Sequence, residues 1–89
     1  QVEDNAVWID VRTLSEFEAG HVDGAVRIPC DGIEKGVAKL GLAKDTPIYL
    51  YCGSGGRSGK AKDRLAAMAY TAVTNAGGLD DARKLAQQD

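Results

Sequence analysis

Apolar residues fall into four short runs: Val7-Trp8-Ile9-Asp10-Val11, Ala25-Val26-Arg27-Ile28, Ile48-Tyr49-Leu50-Tyr51 and Ala72-Val73-Thr74. Each is too short for a stable helix and rich in β-branched or aromatic side chains, which predicts buried strands. The segments between them carry helix punctuation. Thr13 reads as an N-cap, Glu16 completes a capping box for a short helix through Ala19, and Gly20 ends it. Pro29 stops the second run. Asp31 to Leu40 is a weaker helix candidate interrupted by Gly36, and Asp45-Thr46-Pro47 is a turn. Beyond the third run, Ala61, Leu65 and Met68 recur at helical spacing as a core-facing stripe, while Lys60, Asp63, Arg64 and Ala67 point elsewhere. Gly77-Gly78 reads as a turn and Leu79 to Leu85 as a last helix. Strands alternating with helices predict one α/β domain over residues 1–89, with a small, mainly parallel sheet flanked by helices.

Sheets of that kind bind ligands at the carboxyl ends of their strands. The third run ends there in Cys52-Gly53-Ser54-Gly55-Gly56-Arg57-Ser58, just before the helical stretch. A loop of small residues turns successive backbone N–H groups inward, and a helix N-terminus adds about half a positive charge, so the segment is built to hold an anion. A cysteine at its first position is held as a thiolate and aimed into that cradle, as a nucleophile is. A buried structural thiol beside an ordinary turn is the plain alternative. It leaves the glycines unexplained, because each one costs ordering entropy that a simple turn avoids.

Composition narrows the field. With 89 residues, 44% hydrophobic and 27% charged, the chain is long enough for one modest core. A net charge of −2, with no basic tail, argues against nucleic acid as a partner. No apolar run approaches the ~20 residues that cross a bilayer, so no membrane partner is expected. Two cysteines and one histidine are too few and too badly spaced for a zinc site, and no metal or cofactor is expected. The chain begins at Gln1, so the lack of a signal segment says nothing about compartment.

Four segments, in order, resemble the rhodanese (thiosulfate sulfurtransferase) family: Trp8-Ile9-Asp10-Val11-Arg12 with Glu16-Phe17; Gly20-His21-Val22-Asp23-Gly24-Ala25 running into Ile28-Pro29; Tyr51-Cys52 through Arg57-Ser58; and Asn75-Ala76-Gly77-Gly78-Leu79. The length and the last segment are most similar to the small single-domain phage-shock type, which is periplasmic. That resemblance implies a periplasmic protein, with the cytoplasm as the alternative; a monomer is expected, though no residue pattern reads out the oligomeric state. Leu79 and the lack of a later tryptophan depart from other single-domain members. Ala69 stands where the family usually has glycine before a tyrosine, and only a helix end is expected to change.

The resemblance implies a ping-pong sulfur transfer. Cys52 attacks thiosulfate or a similar sulfane-sulfur donor, carries the sulfur as a persulfide, and passes it to cyanide or a thiol. The backbone N–H groups of Gly53, Ser54, Gly55, Gly56, Arg57 and Ser58 then serve the thiolate and persulfide. Arg57 offers a positive fork for the donor's sulfonate or braces the loop, and the Ser54 and Ser58 hydroxyls donate hydrogen bonds. Lys60 and Arg64, with Lys62, make a local cationic patch that either steers a dianion or is plain solvated surface.

Three further groups read as structural. Asp10 and Arg12 make a strand-end ion pair, His21 follows a helix-ending glycine, and Cys30 packs under the next helix unless it serves as a resolving thiol for Cys52. Two other classes compete with sulfur transfer. A cysteine-dependent phosphatase or arsenate reductase uses the same cysteine, cradle and arginine, but with five residues between cysteine and arginine. Cys52 and Arg57 enclose four, a tighter ring better matched to one sulfur atom. A sulfur-carrying or regulatory binding module is the non-enzyme alternative.

Overall fold

The structure is a computed structural model that describes residues 6–53 and 56–86. Four strands, β1 (Val7–Asp10), β2 (Val26–Arg27), β3 (Ile48–Cys52) and β4 (Val73–Gly78), form one sheet in the order β2-β1-β3-β4, with every pairing parallel. Helices α1 (Leu14–Ala19), α2 (Ile33–Leu40) and α3 (Gly56–Ala67) supply the three crossovers that parallel strands require, with a 3₁₀ turn at Cys30–Gly32 before α2, and α4 (Leu79–Ala86) follows β4. This is the α/β architecture expected from the alternating pattern.

Strand periodicity divides the side chains between two cores. Along β3, Ile48, Leu50 and Cys52 point to the face covered by α2 and α3, where they meet Ile33, Val37, Ala61 and Leu65. Tyr51 points to the other face and packs with Val22 and Ala82 of α4. The stripe expected in α3 is real: Ala61 and Leu65 are fully buried and Met68 packs against them. Ser58 extends that stripe one turn toward the helix start and is also fully buried.

The capping box forms as the sequence predicts. Thr13 Oγ1 accepts the Glu16 N–H, Glu16 Oε1 accepts the Thr13 N–H, and the helix stops at Gly20. Three expectations change. The second run shrinks to the two residues Val26–Arg27, because the Ala25 N–H turns back to the Val22 carbonyl. Gly36 does not interrupt α2. It lies inside the helix because Ile28 presses on the backbone there, and a Cβ at position 36 would sit 2.3 Å from Ile28 Cγ2. Gly77 and Gly78 are not a free turn. β4 runs through both, and Gly78 is in register with Cys52 across an irregularity in the β3–β4 pairing. At Ala69 the change is confined to a helix end, as expected: α3 ends at Ala67, and Ala69 adopts a left-handed φ of 71°. The Ala69 N–H bonds the Ala66 carbonyl and the Tyr70 N–H bonds the Leu65 carbonyl, which is the double closure of a Schellman cap.

Candidate active site

Cys52 ends β3, a strand flanked by β1 and β4, and α3 begins at Gly56. The chain therefore turns from a buried strand into a helix at the carboxyl edge of the sheet, the position the sequence assigns to the nucleophile. One detail differs from an exposed thiol on a loop. Cys52 is 0% exposed and belongs to the core under α3. The alternation that buries Ile48 and Leu50 buries Cys52 as well, and β4 covers it from the side. That neighbour approaches closely: a Cβ on Gly78 would lie 2.7 Å from the Gly53 carbonyl oxygen, so only glycine lets β4 pass the start of the loop.

Of the loop residues singled out from the sequence, Ser54 and Gly55 lie outside the described residues. Gly53 is exposed, and Gly56 is exposed as the first residue of α3. Ser58 is buried, with its Oγ 3.7 Å from Cys52 Sγ and 2.6 Å from Asn75 Oδ1. Arg57 is tied to α1. Its Nη1 and Nη2 donate to both carboxylate oxygens of Glu16 at 3.1 and 3.2 Å, a fork-to-fork pair that joins α3 to α1. The pair perturbs both partners. The Arg57 guanidinium, helped by the Thr13 N–H, holds the Glu16 carboxyl at about 2, below its ordinary 4.5, and Glu16 in turn raises the Arg57 pKa.

Beside the loop lies an open cavity of about 590 Å³ lined by Arg12, Arg27, Arg57, Lys60 and Arg64, with Cys30, Pro29 and Leu14 among its less polar walls. Lys60 and Arg64 thus face the same hollow as Arg57. Arg64 is partly committed, donating to the Cys30 carbonyl at 2.9 Å and lying 3.8 Å from Glu34. Asp31 is the acidic residue among the lining groups, so the hollow carries a positive field suited to an anionic donor. Cys30 is half-buried with a free thiol whose Sγ donates to the Arg57 carbonyl at 3.3 Å.

Two of the groups read as structural, the Asp10–Arg12 pair and His21, are held by local contacts. Asp10 is fully buried and accepts from the Arg12 backbone and guanidinium at 2.7 to 3.1 Å, while Arg12 also donates to the Gly20 carbonyl and lies over the Tyr51 ring. His21 Nδ1 is 2.8 Å from the Phe17 carbonyl oxygen, and its ring stacks on Phe17. Three residues of the site escaped the sequence reading: Glu16, Arg27 and Asn75. Glu16 had a complete local explanation as a helix cap, and Arg57 is 41 positions away. For Asn75, the Asn-Ala-Gly-Gly segment was a signal, but of kinship rather than of contact with Ser58.

Comparison with known proteins agrees with this geometry. Residues 1–84 match the family described as Rhodanese-like domain. Thiosulfate sulfurtransferase PspE of Escherichia coli K12 is 42% identical over 74 residues, which cover 83% of this chain and 71% of that protein. YqhL of Bacillus subtilis is 40% identical over 70 residues, covering 79% of this chain and 54% of that one. Among solved structures, a rhodanese with anions from E. coli superposes with a TM-score of 0.82 at 41% identity, covering 85% of this chain and 89% of the other. A rhodanese-like domain protein from Staphylococcus aureus gives 0.75 at 30% identity, covering 89% and 76%. With a parallel sheet ending in a cysteine at a helix start, and with relatives that share both sequence and fold, the chain belongs to the rhodanese-like sulfurtransferase family.

Proposed function

We propose that the protein is a thiosulfate sulfurtransferase that carries sulfur as a persulfide on Cys52. The observation that carries this reading is the placement of Cys52 at the end of β3, just before α3, whose Arg57, Lys60 and Arg64 line a cationic hollow. The similarity to PspE supports thiosulfate as donor. Thiosulfate is a small dianion with an electrophilic terminal sulfur, and both properties fit. The cationic hollow draws the anion in, and the Cys52 thiolate attacks the terminal sulfur. A sulfur–sulfur bond forms to Cys52, the bond from that sulfur to the sulfonate breaks, and sulfite leaves with the electron pair. Cyanide or a thiolate then attacks the outer sulfur of the persulfide. The Cys52 thiolate departs, and thiocyanate or a new persulfide is released. Four residues between Cys52 and Arg57 favour this chemistry over phosphate or arsenate transfer, since the smaller ring suits a single sulfur.

Incubation with thiosulfate is expected to add one sulfur atom to the intact mass and release one equivalent of sulfite. Cys52→Ser is expected to abolish both while keeping the fold, because the exchange is nearly isosteric and the Ser58 hydroxyl that donates toward Cys52 Sγ can donate to the new hydroxyl. Sulfur addition in the substituted protein overturns the assignment of Cys52.

A further inference from the structure

Three of the five cations that line the hollow are already answered. Arg12 pairs with Asp10, Arg57 with Glu16, and Arg64 lies 3.8 Å from Glu34. The other two stand on different elements. Arg27, at the end of β2, reaches only the Arg12 carbonyl at 3.5 Å, and Lys60 lies exposed on α3. Among the described residues neither makes an ion pair. The same hollow has a less polar wall of Val11, Leu14 and Pro29, and Leu14 is 52% exposed. An exposed leucine beside two unanswered cations is the make-up of a site for an organic anion. The volume agrees. About 590 Å³ lies within the ~300–1,000 Å³ of organic-ligand sites and is far more than thiosulfate fills.

The hollow lies beside the sulfur rather than over it. Cys52 is fully buried, and the wall nearest to it is Arg57. The Arg57 carbonyl accepts the Cys30 thiol, and the next residue, Ser58, has its Oγ 3.7 Å from Cys52 Sγ. The Arg57 pKa is raised by Glu16 first and by the charge of Cys52 as well, so the wall and the nucleophile are within electrostatic reach. A molecule seated in the hollow meets the sulfur by an arm.

We propose that the hollow is the acceptor subsite and selects a thiol on a short hydrocarbon arm that ends in a single carboxylate. Arg27 and Lys60 take the carboxylate, and Leu14 and Pro29 flank the arm. The assignment rests on the sulfur-transfer reading and names the acceptor class. The acceptor thiol gives its proton to solvent, and its thiolate attacks the outer sulfur of the Cys52 persulfide. A new sulfur–sulfur bond forms, the bond to Cys52 breaks, and Cys52 leaves as the thiolate while an organic persulfide departs. One carboxylate matches the charge left over. A polyanion meets Asp31 on the wall and the carboxylates of Asp10, Glu16 and Glu34 behind it.

The test starts from protein loaded on Cys52 by thiosulfate and freed of donor, and follows discharge by intact mass. The acceptors are ω-mercaptohexanoate and ω-mercaptohexanol, whose thiols have nearly the same acidity because the differing group is remote. The carboxylate is expected to discharge the persulfide about tenfold faster than the alcohol. Arg27→Gln and Lys60→Gln, on separate walls, are each expected to cut that ratio several-fold. Leu14→Ser leaves the field unchanged and is expected to lower the ratio of the mercaptohexanoate rate to the cyanide rate about threefold. A carboxylate-to-alcohol ratio near one overturns the proposal, as does a ratio that either charge substitution leaves unchanged. An unchanged ratio in Leu14→Ser makes the carboxylate effect plain steering and overturns it too. Hexanoate, which has no thiol, reads the hollow without sulfur transfer. It is expected to slow alkylation of Cys30, a lining residue, by iodoacetamide more than hexanol does. Equal protection by the two overturns the subsite. A protein that takes up no sulfur from thiosulfate refutes the reading of Cys52 instead, and the Cys30 result still decides the hollow.

Discussion

Glu16 works at two jobs with one carboxylate: it closes the N-terminal box of α1 and grips Arg57 with both oxygens. Both jobs need the ionised form, which is why its pKa falls to about 2. A carboxyl with a depressed pKa in the folded state contributes stability that is complete above its unfolded value. That contribution is lost as pH falls from about 4.5 to about 2. Acid titration of stability is therefore expected to show a component in this window that Glu16→Gln removes, checked by urea unfolding at several pH values. A profile identical in the substituted protein rejects the linkage. The double use of Glu16 also explains what the sequence conceals at this scale. A capping box is a local pattern and legible from Thr13 and Glu16 alone. The contact to Arg57 depends on how the chain folds back, and no spacing announces it.

Elements repeat the same division. The strand pattern, the α1 cap and the α3 stripe follow from neighbours in the chain, and all were readable. The path of α2 through Gly36 and the extension of β4 through Gly77 and Gly78 depend on Ile28 and Cys52, residues distant in sequence, so the glycines were read as breaks. Two substitutions separate these effects. Ala69 bears a left-handed φ that favours glycine, so Ala69→Gly is expected to stabilise the protein by about 1 kcal/mol. That corresponds to a rise in Tm of roughly 4–8 °C for a domain of this size. Gly36→Ala brings the opposite result despite better helix propensity, a loss of about 1–3 kcal/mol from overpacking against Ile28. Ile28→Val, which removes Cδ1 at 3.1 Å but keeps Cγ2 at 2.3 Å, is expected to recover only a small part of it. Thermal melts of the three proteins check both statements, and a stabilising Gly36→Ala refutes the close approach.

Over the whole molecule, a net charge of −2 coexists with a hollow whose wall carries Arg12, Arg27, Arg57, Lys60 and Arg64. Attraction of thiosulfate to that wall is screened over a Debye length of ~8 Å at physiological salt. The apparent second-order rate is expected to fall on the order of tenfold from low to high ionic strength, and Lys60→Glu to reduce both the rate and its salt dependence. Stopped-flow rates that ignore salt assign Lys60 to plain surface. The acidic surplus is spread elsewhere, so composition alone recorded the sum and not the separation. Helix α1 sits at the border of this field with no fully buried residue of its own. It is held instead by its cap, by Arg57 on Glu16, by Arg12 on the Gly20 carbonyl and by His21 on Phe17. A six-residue segment fastened by polar clasps opens more cheaply than the sheet beneath it. Its amides should exchange hydrogen well before those of β3, and each such opening releases Arg57. A wall of the candidate site and a weakly held unit of the fold are then one and the same piece of chain.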